Sequence, residues 1–227
     1  MLLSHGDLAT TVDPFDALLE EQHRPGPEKR TTTFVIGECR ALPEAVREMR
    51  IREFPENPVE AEWDAPGRSH HYTLVAEEMG LIGAGRLTAE DAQGNGPIHD
   101  HTKGVLRGRV PSGPGVMHLG RTCIAPKRKG LYTLLSARRI RDAFERHQAS
   151  AVLGITPHEW VAAMYHARFG FTVLPQTVGC EVNGGKERQV YVMFLEHHGV
   201  TEAMLCQFEQ EAISDAAQRG FTLSQVH

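Results

Sequence analysis

The sequence predicts one α/β domain, a mixed sheet covered by helices on both faces, and three observations carry that reading. Short runs rich in Val, Ile, Leu and Thr alternate with stretches of helical periodicity. Residues 71–77 and 81–88 flank Glu78-Met79-Gly80, two strands joined by a tight turn. A strand–helix–strand crossover at 116–156 adds a pairing of the α/β kind.

In chain order, residues 1–33 mix Pro, Gly, Thr and charge and read as a loosely ordered N-terminal arm. Phe34-Val35-Ile36 makes a short strand. Between 44 and 54, Val46, Met49, Arg50 and Phe54 share one helical face, and Pro55 and Pro58 end it. Prolines and Gly67 dictate a loop before the hairpin. Residues 89–115 are rich in Gly, Pro, Asp and Asn, with only Val105-Leu106 as an apolar nucleus. Excursions of that length are functional or mobile. A strand at 116–124 is stopped by Pro126. The helix that follows, about 131–147, turns Leu134, Leu135, Ile140 and Phe144 inward and Arg138, Arg139 and Arg141 outward. Residues 151–156 form a buried strand. Pro157 suits a helix start, where its missing N–H has no partner to lose, and that helix reaches about 168. Strands at 171–174 and 189–196, with a turn at 183–185, complete a domain of residues 34–198. A helix at about 201–218 is appended in a C-terminal extension, 199–227.

The 227 residues are 41% hydrophobic, with 24 Lys+Arg against 29 Asp+Glu. Apolar runs fall far short of the ~20 residues of a bilayer crossing, and the first thirty residues lack a basic head and apolar core. The expected compartment is therefore the cytoplasm, without a membrane span. Cys39, Cys123, Cys180 and Cys206 stand singly and read as reduced thiols. Charge is lopsided: ten basic residues and no acidic one lie between His101 and Arg141, leaving 14 basic against 29 acidic residues elsewhere. Such a patch attracts an anion. Nucleic acid is not the expected partner, because the chain is acidic overall and lacks an aromatic and basic platform. His70-His71, His99-Asp100-His101 and His197-His198 lack the i, i+4 helical spacing of a zinc motif, so no metal is expected.

The strongest local signal is the junction Ile124-Ala-Pro-Lys127-Arg128-Lys129-Gly130-Leu131-Tyr132. A cationic, glycine-bearing loop running into a helix N-terminus offers free backbone N–H groups and a positive dipole end to a phosphate. The junction and the element order resemble the GNAT acyltransferase superfamily. Its loop, Arg/Gln-x-x-Gly-x-Gly/Ala, maps onto Lys127, Gly130 and Tyr132, with Tyr132 in place of a small residue. The resemblance implies a mostly antiparallel sheet and an acyl-CoA, or acyl carrier protein phosphopantetheine, held by Ile124, Lys127, Arg128, Lys129, Gly130, Leu131 and Tyr132. The superfamily's Ala-x-x-x-Tyr-x-x-x-Gly-Phe resembles Ala162-Ala-Met-Tyr165-His166-Ala-Arg-Phe-Gly170-Phe171. By that likeness Tyr165 or His166 protonates the departing thiolate.

A fainter resemblance, over residues 34–124, is to the acyl-homoserine-lactone synthases and related N-acyl amino acid synthases. It rests on Arg50 and Phe54, Trp63-Asp64, Arg86-Leu87 and His118-Leu-Gly-Arg121, with His118 and Gly120 replacing a glutamate and a serine. It implies a small-molecule amine acceptor, such as an amino acid, contacted by Arg50, Phe54, Trp63, Asp64, Arg86 and Arg121. Guanidinium pairs with carboxylate or phosphate through two hydrogen bonds. An attacking amine must be neutral, so a base is needed, and His118 has the ordinary pKa for it. Backbone N–H groups near a bulge on the strand at 116–124 would polarise the thioester carbonyl. The alternative is a catalytically inactive GNAT-like domain that binds CoA or an acyl carrier protein as a sensor. Oligomeric state is left open by the sequence.

Overall fold

A computed structural model describes residues 32–55, 60–125, 130–182 and 186–224. Its strands are β1 (Thr32–Cys39), β2 (Ser69–Ala76), β3 (Gly80–Ala89), β4 (Val116–Ile124), β5 (Ala151–Thr156), β6 (Thr172–Val173), β7 (Val178–Val182), β8 (Lys186–Glu196) and β9 (Phe221–Leu223). Its helices are α1 (Glu44–Glu53), the short α2 (Pro97–His101), α3 (Gly130–Glu145), α4 (Glu159–Phe169) and α5 (Glu202–Gln218). The strands form one sheet in the order β6-β8-β5-β4-β3-β2-β1-β9, with β7 paired to β8. The β4–β5 and β1–β9 pairs are parallel and the others antiparallel. The predicted mixed, mostly antiparallel sheet is the one observed.

Local chemistry explains the joints. Gly80 closes the β2–β3 turn at φ 69°, a backbone conformation that a side chain resists. At the end of α4, Gly170 sits at φ 71° and donates to the His166 carbonyl, while the Phe171 N–H reaches the Tyr165 carbonyl. The Gly-Phe pair is thus a helix terminator.

Side chains alternate across β3. Gly85 and Leu87 face α3, and Ala84 and Arg86 face the other way. The larger core lies on the α3 side, where Phe34, Leu74, Leu87 and Leu119 of the sheet meet Leu131, Leu134 and Phe144 of α3, Tyr165 and Phe169 of α4, and Phe208 and Ala212 of α5. On the opposite face α1 sets Val46 and Met49 on Ala84 and Cys123, and the excursion after β3 packs Ile98, Leu106 and Val110 on Val116, Leu153 and Val192. Helices cover both faces, as expected.

Several expectations are corrected. The excursion at 89–115 contains α2 and is anchored by buried side chains. The strand β1 is longer than 34–36, and α4 begins at Glu159. The strands β7 and β9 had no strong sequence signal, being five and three residues long. Residues 202–223 build into the domain: α5 packs on α3, and β9 covers the outer edge of β1 in parallel register. The arm before residue 32 and the turn at 183–185 lie outside the described residues.

Arg139 is the main correction. It was expected outward but is fully buried. Its Nη1 donates to the carbonyls of Arg86 (3.1 Å) and Gly120 (3.2 Å), its Nη2 to Thr122 Oγ1 (2.7 Å) and its Nε to the Leu135 carbonyl (3.2 Å). A Cβ at Gly85 would fall 2.7 Å from Nη1, so β3 needs a glycine opposite this guanidinium. Arg139 follows Leu135 by one helical turn on the inner arc, and the outward expectation failed because the sheet carbonyls it serves are invisible in sequence. Replacing Arg139 by Met leaves those acceptors unpaired. A loss of about 2–4 kcal/mol in urea unfolding is expected, against under about 1 kcal/mol for Arg138→Ala.

Candidate functional site

The register of β4 changes along its length. Ala84 of β3 pairs with Cys123 and Arg86 with Gly120, so Gly85 alone faces Arg121 and Thr122. This is a β-bulge, and Arg121 takes φ 51° within it. On its other side β4 pairs with β5 only over Val116–Leu119 against Ala151–Gly154. Both strands continue, β4 to Ile124 and β5 to Thr156 along β8, without pairing to each other. The two strands part beside the bulge. Gly130 and Leu131 in the first turn of α3 are buried, and Ile124 and Tyr132 pack against the main core. Lys127, Arg128 and Lys129 lie outside the described residues.

The two expected proton donors part company. Tyr165 is buried, donates to Ser136 Oγ (2.7 Å) and meets Tyr132 edge-on at 6.4 Å. Burial, together with Tyr165, pushes the Tyr132 phenol well above its ordinary pKa, and Thr122 of the bulge acts in the opposite direction. Tyr132 therefore keeps its proton between α4 and the bulge. His166 is on the outer side of α4, where its Nδ1 bonds the Phe171 carbonyl (2.8 Å).

The six expected acceptor residues do gather, around two carboxylates. Asp64 Oδ1 accepts from Arg50 Nη1 (2.9 Å) and Arg86 Nη1 (3.0 Å). Glu60 pairs with Arg86, with Arg121 and with His101 Nε2, the last two on the same oxygen, Oε1. A turn of chain joins the acids: the Asp64 N–H donates to the Glu60 carbonyl (2.7 Å) and the Glu60 N–H to Asp64 Oδ2 (2.9 Å). Phe54 lies under the Arg121 guanidinium at 5.3 Å, and Trp63 donates from Nε1 to Asp100 of α2 (2.9 Å). Burial pushes both carboxyls up, yet the His101 bond and the Arg86 and Arg121 charges hold Glu60 well below the carboxylate range. Arg86 and Arg50 do the same for Asp64. Burial and the Arg50 charge lower His71 to about 4, leaving a neutral ring whose Nδ1 accepts from Arg50 (3.3 Å). Arg50 and Arg86 are closed to solvent, whereas the side chains of Arg121 and His101 are 13% and 29% exposed.

His118 stands apart from this network. Its Nε2 reaches Glu90 Oε1 (2.7 Å), and its Nδ1 accepts the Ile98 N–H (3.2 Å). His99 Nε2 shares Glu90 Oε1 (3.0 Å), and the Gly113 N–H takes Oε2 (2.6 Å). The cluster bolts the excursion to β3 and β4. Because Nδ1 accepts, the proton of neutral His118 is on Nε2, so neither nitrogen is open to a substrate amine or a metal ion. Burial, the largest influence, lowers the His118 pKa against the pull of Glu90. Glu60, His101, Glu90, Thr122 and Arg139 escaped sequence reading. The Glu60–Asp64 spacing and the His99-Asp100-His101 cluster were the available signals.

No protein-family model matches the chain, and no curated protein matches it. Solved structures do. Arabidopsis thaliana NAA60 in complex with acetyl-CoA superposes with a TM-score of 0.53 at 14% identity, covering 72% of this chain and 99% of the other. The AHL synthase LasI gives 0.51 at 17% identity over 72% and 89%. NAA60 with a bisubstrate analogue gives 0.50 at 14% identity over 71% and 97%. The fold is that of the GNAT acyltransferases. Among the described residues no helix is long and apolar enough to cross a membrane.

Acid sensitivity follows from the buried groups. For Glu90, burial acts upward, but bonds from His118, His99 and Gly113 win and bring the carboxyl from 4.5 to about 2. Both Glu90 and His71 are lowered on folding, so each stabilises the fold above its unfolded pKa and loses that contribution as pH falls through the folded value. Unfolding free energy should decline from pH 6.5 to 4 through His71 and from 4.5 to 2 through Glu90, by about 3 kcal/mol each. Urea titrations across pH should show His71→Gln flattening the upper segment and Glu90→Gln the lower.

Proposed function

We propose that this chain is an N-acyltransferase that moves an acyl group from a pantetheine thioester to the amine of a small molecule. The observation that carries the proposal is the meeting of His101 and the bulge residue Arg121 on one oxygen of Glu60, next to the opening between β4 and β5. The GNAT fold supports the donor class, and the acetyl-CoA of the NAA60 complex suggests CoA as its simplest form.

In this reading the pantetheine arm enters between the parted ends of β4 and β5. Its phosphates are received by Lys127, Arg128, Lys129 and the first N–H groups of α3, where the helix dipole favours anions. A bulge frees backbone N–H groups from the sheet ladder, and around Arg121 and Thr122 they would stabilise charge growing on the thioester oxygen. Tyr132, kept protonated and placed beside Thr122, supplies the thiolate with a proton and is reprotonated from solvent as the products leave, with Tyr165 packed behind it. Ile124 lines the approach, and Leu131 backs it from the core.

The base is reassigned from His118 to His101. Glu60 is ionised, so His101 donates from Nε2, and a neutral ring then carries its lone pair on Nδ1, which has no hydrogen-bond partner among the described residues. A carboxylate that fixes the tautomer of a half-open imidazole is the usual arrangement for general-base work. Arg121 and Phe54 form the floor for the acceptor. An amino acid or related amine fits there, because the positive charge of the part-exposed Arg121 attracts a carboxylate. The sequence resemblance to the acyl-homoserine-lactone synthases supports an acceptor of this type. Arg50, Asp64 and Arg86, being closed, position Arg121 and Glu60 rather than touch substrate.

Release of free thiol from acetyl-CoA and longer acyl-CoAs, over a panel of amines including amino acids, tests the reading. Donor binding without release across the panel would favour the sensor alternative. His101→Gln should lower kcat at pH 7 by about 10²-fold or more while leaving the donor Kd nearly unchanged. Charge reversal at Lys127 and Arg128 should instead weaken donor binding, as isothermal titration with CoA will read directly.

A further inference from the structure

A second cluster of ligand-type side chains lies at the far end of α3. Glu38 near the end of β1, His70 at the start of β2 and His147 just past α3 bring one donor atom each within 4.8 Å of one another. Glu38 Oε1 is 2.6 Å from His70 Nδ1, and the rings of His70 and His147 are 4.0 Å apart, inclined at 43°. The Nε2 of His147 is buried and has no hydrogen-bond partner among the described residues. A buried polar atom left in this way needs a reason.

From this geometry we infer that Glu38, His70 and His147 form a binding site for a late first-row divalent ion of the Zn2+ class. Two imidazoles and one carboxylate suit zinc, cobalt or nickel, whereas magnesium and calcium require oxygen donors. The N···O separation of 2.6 Å is that of a hydrogen bond; two ligands held tetrahedrally at about 2.1 Å lie about 3.4 Å apart, so an ion replaces the shared proton and opens the pair by about 0.8 Å. The side chains of Glu38 and His70 are 17% and 18% exposed, so water can enter as a further ligand. Arg146 pairs with the other carboxylate oxygen, Oε2, and is held in turn by Asp142 (3.3 Å). It orients the carboxylate from behind and leaves Oε1 facing the two rings, as an outer partner of a metal ligand does.

The Glu90, His99 and His118 cluster is the instructive contrast. There a backbone N–H occupies the second nitrogen of His118 and commits Nε2 to carry a proton. Among the described residues no backbone donor fixes His70 or His147 in that way. The inferred site stands off from the bulge along α3, since the helix meets the bulge through Arg139 and runs six residues, about 9 Å, further to its end. Metal there clamps β1, β2 and the end of α3 and takes no part in acyl transfer, so its test does not depend on the proposed activity.

Untagged full-length protein, treated with EDTA and dialysed, should bind one ZnCl2 per chain in isothermal titration and unfold at a higher temperature with Zn2+ present. His147→Gln and His70→Ala should each weaken binding by about tenfold or more, and His99→Ala should leave it unchanged. CoCl2 added to the wild type should give visible d–d absorption that excess Zn2+ removes, a readout that needs no variant. Absence of both signals, or Zn2+ affinity retained in both the His147 and His70 variants, overturns the assignment.

Discussion

One surplus residue in β4 organises this molecule. A strand cannot carry an extra residue and keep its ladder, so the backbone at Arg121 and Thr122 turns out of register with β3. Carbonyls there lose regular partners, and Arg139 reaches through the core to supply donors to Gly120, Arg86 and Thr122. Gly85 gives way to the guanidinium. The same dislocation ends the pairing of β4 with β5 early and turns Arg121 toward Glu60. An opening, an oriented backbone and a placed cation thus share one origin.

Around that origin the charges are arranged to be mutually satisfied. Two carboxylates are shared among Arg50, Arg86, Arg121 and His101, and only Arg121 and His101 keep any surface. Buried ions tolerate such a setting only when paired and hydrogen-bonded. The gradient from closed pairs to half-open groups separates residues that hold the site from those that meet a substrate. His118, despite its place in the strand, belongs to the first kind.

Much of this was legible beforehand, and the exceptions share a cause. The hairpin, the α3 and α4 helices and the crossover could be read because period and turn chemistry are local. Arg50, Trp63, Asp64, Arg86 and Arg121 were named from a family resemblance in order and spacing, and they converge. What escaped required knowledge of partners distant in sequence. Arg139 looked like a surface charge because its sheet acceptors, the carbonyls of Gly120 and Arg86 and the Thr122 hydroxyl, are 17 to 53 residues away. His118 looked available because neither Glu90 nor the Ile98 N–H could be placed against it. The short strand β9 is three residues whose only credential is the free edge of β1.

The shared oxygen of Glu60 has an evolutionary corollary. Because Arg121, His101 and, through its fellow oxygen, Arg86 depend on the same carboxylate, a change at any one alters the worth of the others. These four positions should drift in concert rather than singly. Lineages that re-tool the pocket would be expected to exchange the quartet as a block, with intermediate single replacements purged by their epistasis.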